Sequence, residues 1–333
     1  MGDSFPETRV PDPRGAIPRP PVAEGPAAAV LEEPEAALAY ETGVEVQSRS
    51  QWQYARRRFM RHRLAVVCLV LLVGIFLAGA FAPWVAPYAY DEIDLENASS
   101  PPTLDGFHIF GTDLIGRDYL SRVIFGIRTS AEVALIVAIL ATLIGVVIGG
   151  LAGYYSGQVD NALMRFTDLI LTLPGLAVLL TAAALLGHGS PYRVAVIIAL
   201  ISWTYLARII RGTFLALREK EYVEAAKAAG AGDLRIMVRH MLPNAIGPIV
   251  VAATLIVGLA ILTESVLGFL GFGIQPPTPT LGKLIADGQG AGTGLWWLVT
   301  FPGLTIVLIL LCVNFVGDGL RDALDPTQRR VRE

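Results

Sequence analysis

One polar stretch between two apolar ones carries the side chains whose types and spacing suggest a specific task. Residues 224–226 read Glu-Ala-Ala, Gly230 follows after three residues, and residues 242–243 are Leu-Pro. These side chains form no nucleophile or metal-ligand set, so the chemistry they favour is recognition of another protein. Small side chains let a second surface approach the backbone closely, although alanine is also simply a good helix former on a solvated surface. Composition alone leaves both interpretations open.

A helix, a turn and a second helix are expected to position these residues. Residues 219–229 consist almost entirely of strong helix formers, and Gly230 and Gly232 supply the break that ends a helix sharply. A second, amphipathic helix is predicted to follow and to end at Pro243, which lacks a backbone donor. Its apolar face would comprise Leu234, Val238 and Met241, and its basic face Arg235 and Arg239.

Glu264 is the one formal charge inside the apolar run of residues 245–272. A carboxylate at the centre of a bilayer costs about 2.5–3.5 kcal/mol on insertion scales, but a position near the outer end of the run lowers that cost. Glu264 is therefore a candidate for the translocation path or an outer gate. The competing interpretation is a packed carboxylate that anchors the turn after the span.

A second charged group, Asp113, Arg117, Asp118 and Arg122, precedes an apolar run. Asp118 and Arg122 stand four residues apart and are predicted to pair on one helical face. We expect this group to shape a helix outside the membrane. Direct contact with a substrate and docking of an extracellular binding protein are the alternatives.

Residue patterns typical of catalysis are missing from the sequence. It contains no GxxxxGK[ST] phosphate-binding loop, and its four histidines and two cysteines show neither metal-ligand nor CxxC spacing. The formal net charge of −3 does not favour a nucleic-acid partner. We therefore expect no enzyme activity, no bound metal and no cofactor on this chain.

Long charge-free runs predict an all-α polytopic membrane protein with six transmembrane helices. The chain is 53% hydrophobic and 17% charged, and each run approaches the about 20 residues that a bilayer-spanning helix needs. The first run is longer than a signal-peptide core and follows more than sixty residues, so we expect it to be retained. The predicted spans are residues 64–89, 133–155, 169–187, 194–207 extended past Arg208, 245–272 and 295–316.

The distribution of basic residues orients these spans. Arginines cluster at residues 56–63, and lysines and arginines recur through residues 208–244, so both termini and this stretch are predicted to be cytoplasmic. Residues 1–50 contain eight prolines and no apolar periodicity, which predicts a disordered cytoplasmic tail. Within the spans, Pro174 predicts a kink. Four glycines predict close helix packing in the second span, namely Gly145, Gly149, Gly150 and Gly153.

The spacing described first resembles the EAA signature of ABC-importer permeases, which reads EAA, three residues, Gly, nine residues and I-x-L-P. His240 stands where that pattern prefers isoleucine. Three further strings look like the C-type permease subunit of dipeptide and oligopeptide transporters, the DppC/OppC family. They are residues 110–122 (FGTDLIGRDYLSR), 267–277 (LGFLGFGIQPP) and 317–326 (GDGLRDALDP). The resemblance covers the chain from about residue 56 to its C-terminal end.

This resemblance implies a type I ABC importer permease fold in the bacterial inner (plasma) membrane. The implied parts are a tail (1–50), the first transmembrane helix with an extracytoplasmic loop (51–125), the permease domain (126–320) and a cytoplasmic C-terminal tail (321–333). In that family the segment at about residues 219–243 is the coupling helix region. The implied ATPase-coupling residues are Glu221, Tyr222, Glu224, Ala225, Ala226, Gly230, Ala231, Leu242 and Pro243.

The resemblance also implies partners and a cargo. The partners are a second, different permease subunit, two ATP-binding subunits or domains that hold ATP and Mg²⁺, and an extracytoplasmic substrate-binding protein. The cargo would be a di- or oligopeptide, although relatives with the same fold import nickel or haem. An ion-driven secondary transporter would predict carboxylates or helix breaks near the midplane of paired repeats, for which Glu264 is a weak candidate. A membrane enzyme would need clustered reactive side chains, which the sequence lacks.

Overall fold

The structure, a computed structural model, describes residues 51–187 and 189–324, and helices dominate both ranges. Within these ranges no strand forms, and a single bridge joins Thr112 to Asp118. The predicted tail of residues 1–50 and residues 325–333 lie outside the described part of the chain. The helices are α1 (Gln51–Arg61), α2 (Arg63–Ala80), α3 (Ala82–Val85), α4 (Tyr119–Tyr155), α5 (Gly157–Thr172), α6 (Gly175–Leu186), α7 (Pro191–Arg218), α8 (Glu221–Ala228), α9 (Asp233–Arg235), α10 (Leu242–Phe269), α11 (Leu281–Gly290) and α12 (Trp297–Leu324).

Five helical stretches are long and apolar enough to cross a membrane, and a bent pair brings the number to six if it counts as one span. The predicted spans therefore coincide with helical stretches, but several boundaries differ. The helix of the first span ends at Ala80 rather than near residue 89. The second span begins fourteen residues earlier than predicted, at Tyr119, because polar and charged side chains in its first turns are buried by protein instead of facing lipid.

The third predicted span is the bent pair, α5 and α6, whose axes meet at 85°. Pro174 disfavours helical angles in the residue before it, and Leu173 has φ −74° and ψ 141°, which is extended. Pro174 also has no backbone N–H to continue the α5 ladder. The kink predicted at Pro174 is thus confirmed, and it is sharp enough to divide the span into two helices.

Close packing between α4 and α7 organises the centre of the molecule. Gly149 lies so near α7 that a Cβ placed on it would overlap the carbonyl oxygen of Ala207. A Cβ on Gly145 would lie 2.7 Å from the Leu206 side chain, and one on Gly153 would lie 2.6 Å from Phe214. Glycines four residues apart therefore form the groove that receives α7, which confirms the predicted packing role.

The long loop between α3 and α4 folds into what we call the cap segment, residues 86–118. Its Asp113 and Asp118 are buried, and Asp113 is bonded to two arginines, Arg117 of the segment and Arg122 of α4. The Arg122 guanidinium is 3% exposed and its Nη1 donates to Asp113 Oδ2 over 2.5 Å, while Arg117 Nε donates to the same oxygen over 2.7 Å. Trp297 Nε1 donates to the Thr112 carbonyl over 3.1 Å, which fastens the cap segment to α12.

The predicted pairing of Asp118 with Arg122 is wrong. Asp118 is the N-cap of α4, where its Oδ2 accepts from the Ser121 backbone N–H over 2.7 Å. Its Oδ1 lies 2.9 Å from His108 Nδ1. A carboxylate at an N-cap turns toward the free N–H groups of the first helical turn, so Arg122 pairs instead with Asp113.

Candidate functional site

The segment at residues 219–243, which we call the coupling element, begins with the short exposed helix α8. Its end is a Schellman motif, in which the Ala231 N–H donates to the Ala226 carbonyl over 3.0 Å and the Gly230 N–H to the Lys227 carbonyl over 2.9 Å. Gly230 has φ +78°, and nothing lies within 4 Å of the position that a Cβ would take. Backbone conformation, rather than space, therefore favours glycine at this turn.

The second half of the coupling element differs from the amphipathic helix that was predicted. After α9 the chain makes a π-helical turn, Ile236–Met241, and passes directly into α10. Pro243 does not end a helix, because it lies two residues past the π-helical turn inside the continuous helical stretch Asp233–Phe269.

The buried face of this half also differs from the prediction. Of the three residues predicted for the apolar face, Met241 is fully buried, but Leu234 and Val238 are 71% and 54% exposed, and Ile236 is fully buried instead. Ile236 and Met241 stand five residues apart, and a π-helical turn brings i and i+5 to one side. The prediction assumed α-helical spacing of 3.6 residues per turn, which places different residues on the buried face.

Two contacts fix the coupling element to the transmembrane helices. Val223 is the buried residue of α8 and is 0% exposed. Tyr154, near the end of α4, donates its hydroxyl to Asp233 Oδ1 over 2.7 Å, and Lys227 Nζ lies 5.5 Å above the Tyr154 ring. Tyr154 therefore holds both α8 and α9 against the end of α4.

A shallow groove of about 380 Å³ opens between the two halves of the coupling element. One wall consists of small residues and the other of basic and polar side chains. Arg235 and Arg239 are exposed and form no ion pair within the described part of the chain. The lining residues are Ala226, Ala229, Gly230, Ala231, Arg235, Arg239 and His240. The groove can thus receive a narrow apolar or acidic side chain from outside.

The residues predicted for coupling fall into three positions. Ala226, Gly230 and Ala231 line the groove. Glu221, Tyr222, Glu224 and Ala225 are exposed on α8 outside the groove. Leu242 and Pro243 follow the π-helical turn and do not line the groove. Partial burial raises the pKa of the Tyr222 hydroxyl above its ordinary value.

Tyr154 was not singled out from the sequence, and neither was the contribution of Arg235, Arg239 and His240 to one groove. An aromatic residue at the end of a span is a recognisable signal for an interfacial position. Its bond to Asp233 joins residues far apart in the chain, however, and no local pattern reveals such a contact.

Glu264 lies inside the protein, with 0% of its surface exposed. Its Oε2 accepts from the Ser130 hydroxyl of α4 over 2.7 Å. The other carboxyl oxygen, Oε1, is buried and has no hydrogen-bond partner in the described residues. Nearby, Gly282 packs so closely on Ser265 that a Cβ would overlap its carbonyl oxygen. Glu264 thus stands where α4, α10 and the start of α11 meet.

The chain is similar to known membrane-transport proteins along nearly all of its described length. Residues 145–330 match the family model described as the binding-protein-dependent transport system inner membrane component. Residues 50–102 match the N-terminal TM domain of oligopeptide transport permease C.

Individual relatives extend this similarity. The oligopeptide transport system permease protein OppC of Haemophilus influenzae is 40% identical over 286 residues, which is 86% of this chain and 92% of the relative. OppC of Escherichia coli is 42% identical over 286 residues, 86% of this chain and 94% of the relative. OppC of Mycobacterium bovis is 38% identical over 277 residues, 83% of this chain and 94% of the relative.

Proposed function

The chain belongs to the binding-protein-dependent transport system inner membrane component family, in its OppC branch, and from this premise we propose that it is the C-type permease subunit of an ATP-driven peptide importer. It forms half of the translocation pathway and couples that half to ATP hydrolysis on other chains. The peptide cargo is proposed because the relatives are named as oligopeptide permeases.

The open groove in the coupling element is the observation that carries this proposal. Its small-residue wall and its unpaired Arg235 and Arg239 form a surface that is incomplete within the chain. An ATP-binding subunit would complete it by inserting an apolar or acidic side chain. A carboxylate suits this position best, because guanidinium groups bind carboxylates strongly and with defined geometry.

The route from the groove to the membrane contains no flexible loop. The π-helical turn joins α9 to α10 without a break, so movement of the groove is carried directly along a helix that continues to Phe269. Tyr154 gives a second connection, to α4. Closing of the ATP-binding subunits would therefore shift α10 and α4 together and reorient the transport cavity.

The remaining partners follow from the same proposal. A second, different permease subunit would supply the other half of the pathway, and an extracytoplasmic binding protein would deliver the peptide. ATP and Mg²⁺ would be held by the two ATP-binding subunits, because this sequence has no phosphate-binding loop of the P-loop type. The chain itself would catalyse no reaction.

Uptake measured in proteoliposomes tests the proposal. The complete transporter, with its binding protein, should import a labelled tripeptide only when ATP is present, and an ATP-binding subunit without its hydrolytic residue should abolish uptake. Undiminished uptake driven by a proton gradient in the absence of the ATP-binding subunits would identify a secondary transporter instead. Import of nickel or haem in place of the tripeptide would overturn the proposed cargo.

A further inference from the structure

A stripe of polar side chains runs along one face of α5, although α5 belongs to the bent span. Asn161, Arg165, Asp168 and Thr172 are all exposed, and they recur at intervals of four, three and four residues. Side chains at these intervals lie on the same face of a helix. A matching patch occurs on α7, where Tyr205 and Arg208 are exposed three residues apart.

An ion pair joins the two helices in the middle of this surface. Arg208 Nη2 donates to Asp168 Oδ1 over 2.5 Å, with the two side chains 53% and 56% exposed. One nitrogen and one oxygen form this bond, so Arg208 Nε and Nη1 and Asp168 Oδ2 have no partner within the described residues. The ion pair therefore retains both donors and an acceptor for another molecule.

A neighbouring ion pair between the same helices shows what a saturated contact looks like. Arg211 Nε donates to Asp160 Oδ1 over 2.5 Å, and Arg211 Nη2 donates to Asp160 Oδ2 over 2.6 Å. Both carboxylate oxygens are engaged, and the Asp160 side chain is 14% exposed. Both oxygens of Asp160 are therefore paired with Arg211, whereas only one oxygen of Asp168 is paired with Arg208.

The open pair lies within both helices rather than at their ends. Arg208 precedes the end of α7 by ten residues, which places it roughly 15 Å inside that end at 1.5 Å per residue. Asp168 lies at about the same distance from the start of α5. Exposed charges at membrane depth face a water-filled cavity or another protein, because lipid cannot solvate them.

The backbone beside the pair is open as well. The α5 ladder stops at Leu173 and Pro174, five residues beyond Asp168, and the chain turns through 85°. Non-helical backbone at membrane depth is tolerated where it is buried in protein or lines a water-filled cavity. Leu173 and Pro174 are both exposed in the chain, so its own helices do not bury them.

We propose that this polar stripe, defined as Asn161, Arg165, Asp168, Thr172, Tyr205 and Arg208, lines the aqueous path through the membrane, and that Asp168 and Arg208 contact the peptide in transit. The assignment rests on the proposed function. A free peptide carries a carboxylate at one end and an ammonium group at the other. The open donors of Arg208 suit the carboxylate, and the open oxygen of Asp168 suits the ammonium group or a backbone N–H.

The first test removes both charges at once. A single substitution would leave an unpaired charge, which could disturb the fold and reduce transport indirectly. The complete transporter with Asp168→Asn and Arg208→Gln is compared with wild type in proteoliposomes, and peptide molecules imported are counted per ATP hydrolysed. We expect this ratio to fall about tenfold for trialanine, while the subunits still copurify. A ratio within twofold of wild type would overturn the inference, since a merely structural pair tolerates neutral replacement.

The matched control is the saturated pair, with Asp160→Asn and Arg211→Gln in the same transporter. We expect its import ratio to stay within twofold of wild type. An equal loss in both double variants would overturn the assignment, because it would trace the effect to the general packing of α5 on α7. If the wild-type transporter shows no ATP-dependent import at all, the proposed function fails, and that outcome is distinct from an active wild type with an unaffected double variant.

A second test does not depend on altering the ion pair. Thr172→Cys places a thiol on the polar stripe, and Leu143→Cys places one on the exposed apolar side of α4; the native Cys68 and Cys312 are buried. In nanodiscs holding the complete transporter, a charged methanethiosulfonate reagent should label position 172 and spare position 143. Equal lack of labelling at both positions, with and without ATP, would overturn the aqueous path even if the first double variant does not assemble.

Discussion

The two ends of α4 present opposite kinds of charged surface. At its start, Asp113 and Asp118 of the cap segment and Arg122 of α4 are buried and bonded to partners from the same chain, although Arg122 Nε has no hydrogen-bond partner in the described residues. At its far end, about 55 Å away along a 37-residue helix, the coupling element leaves Arg235 and Arg239 exposed around an open groove. The charged side chains at the first end have ion-pair or hydrogen-bond partners within the chain. Arg235 and Arg239 at the far end have no ion-pair partner in the described residues.

This difference separates a structural role from a docking role. Buried charges are expensive unless they are paired, so the cap segment is expected to contribute to stability and to tolerate change badly. Exposed charges around a small-residue groove contribute little to the stability of the chain alone. Changes in the coupling element should therefore affect transport, and changes in the cap segment should affect folding.

The largest effect is expected from Gly230→Pro in the coupling element. Proline cannot adopt the φ of +78° found there, and it removes the N–H that closes the turn onto Lys227. ATP-dependent uptake should be abolished, while the chain still inserts and copurifies with the second permease subunit. Gly232→Pro is the matched control, because Gly232 has φ −71° and its N–H donates no backbone hydrogen bond within the described residues. Normal uptake with Gly230→Pro would contradict the expectation that changes in the coupling element affect transport.

A bulky side chain in the groove should act almost as strongly. Ala226→Trp fills the space between α8 and the π-helical turn without altering the backbone of the turn at Gly230. Uptake should fall by at least about tenfold, since a loss of 1.4 kcal/mol in docking already produces that change. The measurement is copurification with the ATP-binding subunits together with uptake. Retention of both would show that the groove is not the docking surface.

The next effect is expected in the cap segment and on stability. Asp113→Ala leaves Arg122 buried without its partner, and breaking a buried pair in this way destabilises a protein by about 3–5 kcal/mol. Thermal unfolding in detergent should occur at a clearly lower temperature. Asp287→Ala, which breaks the partly exposed pair with Lys283 on α11, should change stability by about 1 kcal/mol or less. Equal effects of the two substitutions would remove the distinction between buried and open charge.

The smallest effect is expected from Tyr154→Phe, at the contact between α4 and the coupling element. The substitution removes one hydrogen bond, to Asp233, and keeps the ring beneath Lys227. A single hydrogen bond contributes about 0.5–1.5 kcal/mol, so uptake per ATP hydrolysed should fall by about two- to tenfold. Tyr155→Phe changes a neighbouring exposed ring for which no hydrogen bond occurs in the described residues, and it should have no effect.

Much of the fold follows from the sequence because apolar runs of span length have few alternatives to helices in a bilayer. The small-residue packing of α4 was predictable because Gly145, Gly149 and Gly153 recur every four residues. Pairings across the chain were not. Asp118 was assigned to Arg122 by spacing, although its place at the N-cap of α4 determines its partner.

The coupling element shows the same limit. Its glycine turn was predicted at the correct position, and its first helix begins at Glu221, two residues later than predicted, because local propensity largely determines both. Burial of Met241 was predicted correctly, but Ile236 was missed, because a period of 3.6 residues cannot describe a π-helical turn. The polar stripe on α5 was readable from Asn161, Arg165, Asp168 and Thr172, but its exposure depends on how the other helices pack.

Site-specific crosslinking from the groove tests the central claim most directly. A photoreactive amino acid replaces Ala229, which is exposed and lines the groove, and in a second variant it replaces Leu104, which is 82% exposed in the cap segment. In the complete transporter, position 229 should crosslink to an ATP-binding subunit with a yield that changes when ATP is added, and position 104 should not. Absence of that crosslink from position 229, or an equal crosslink from position 104, would contradict the account.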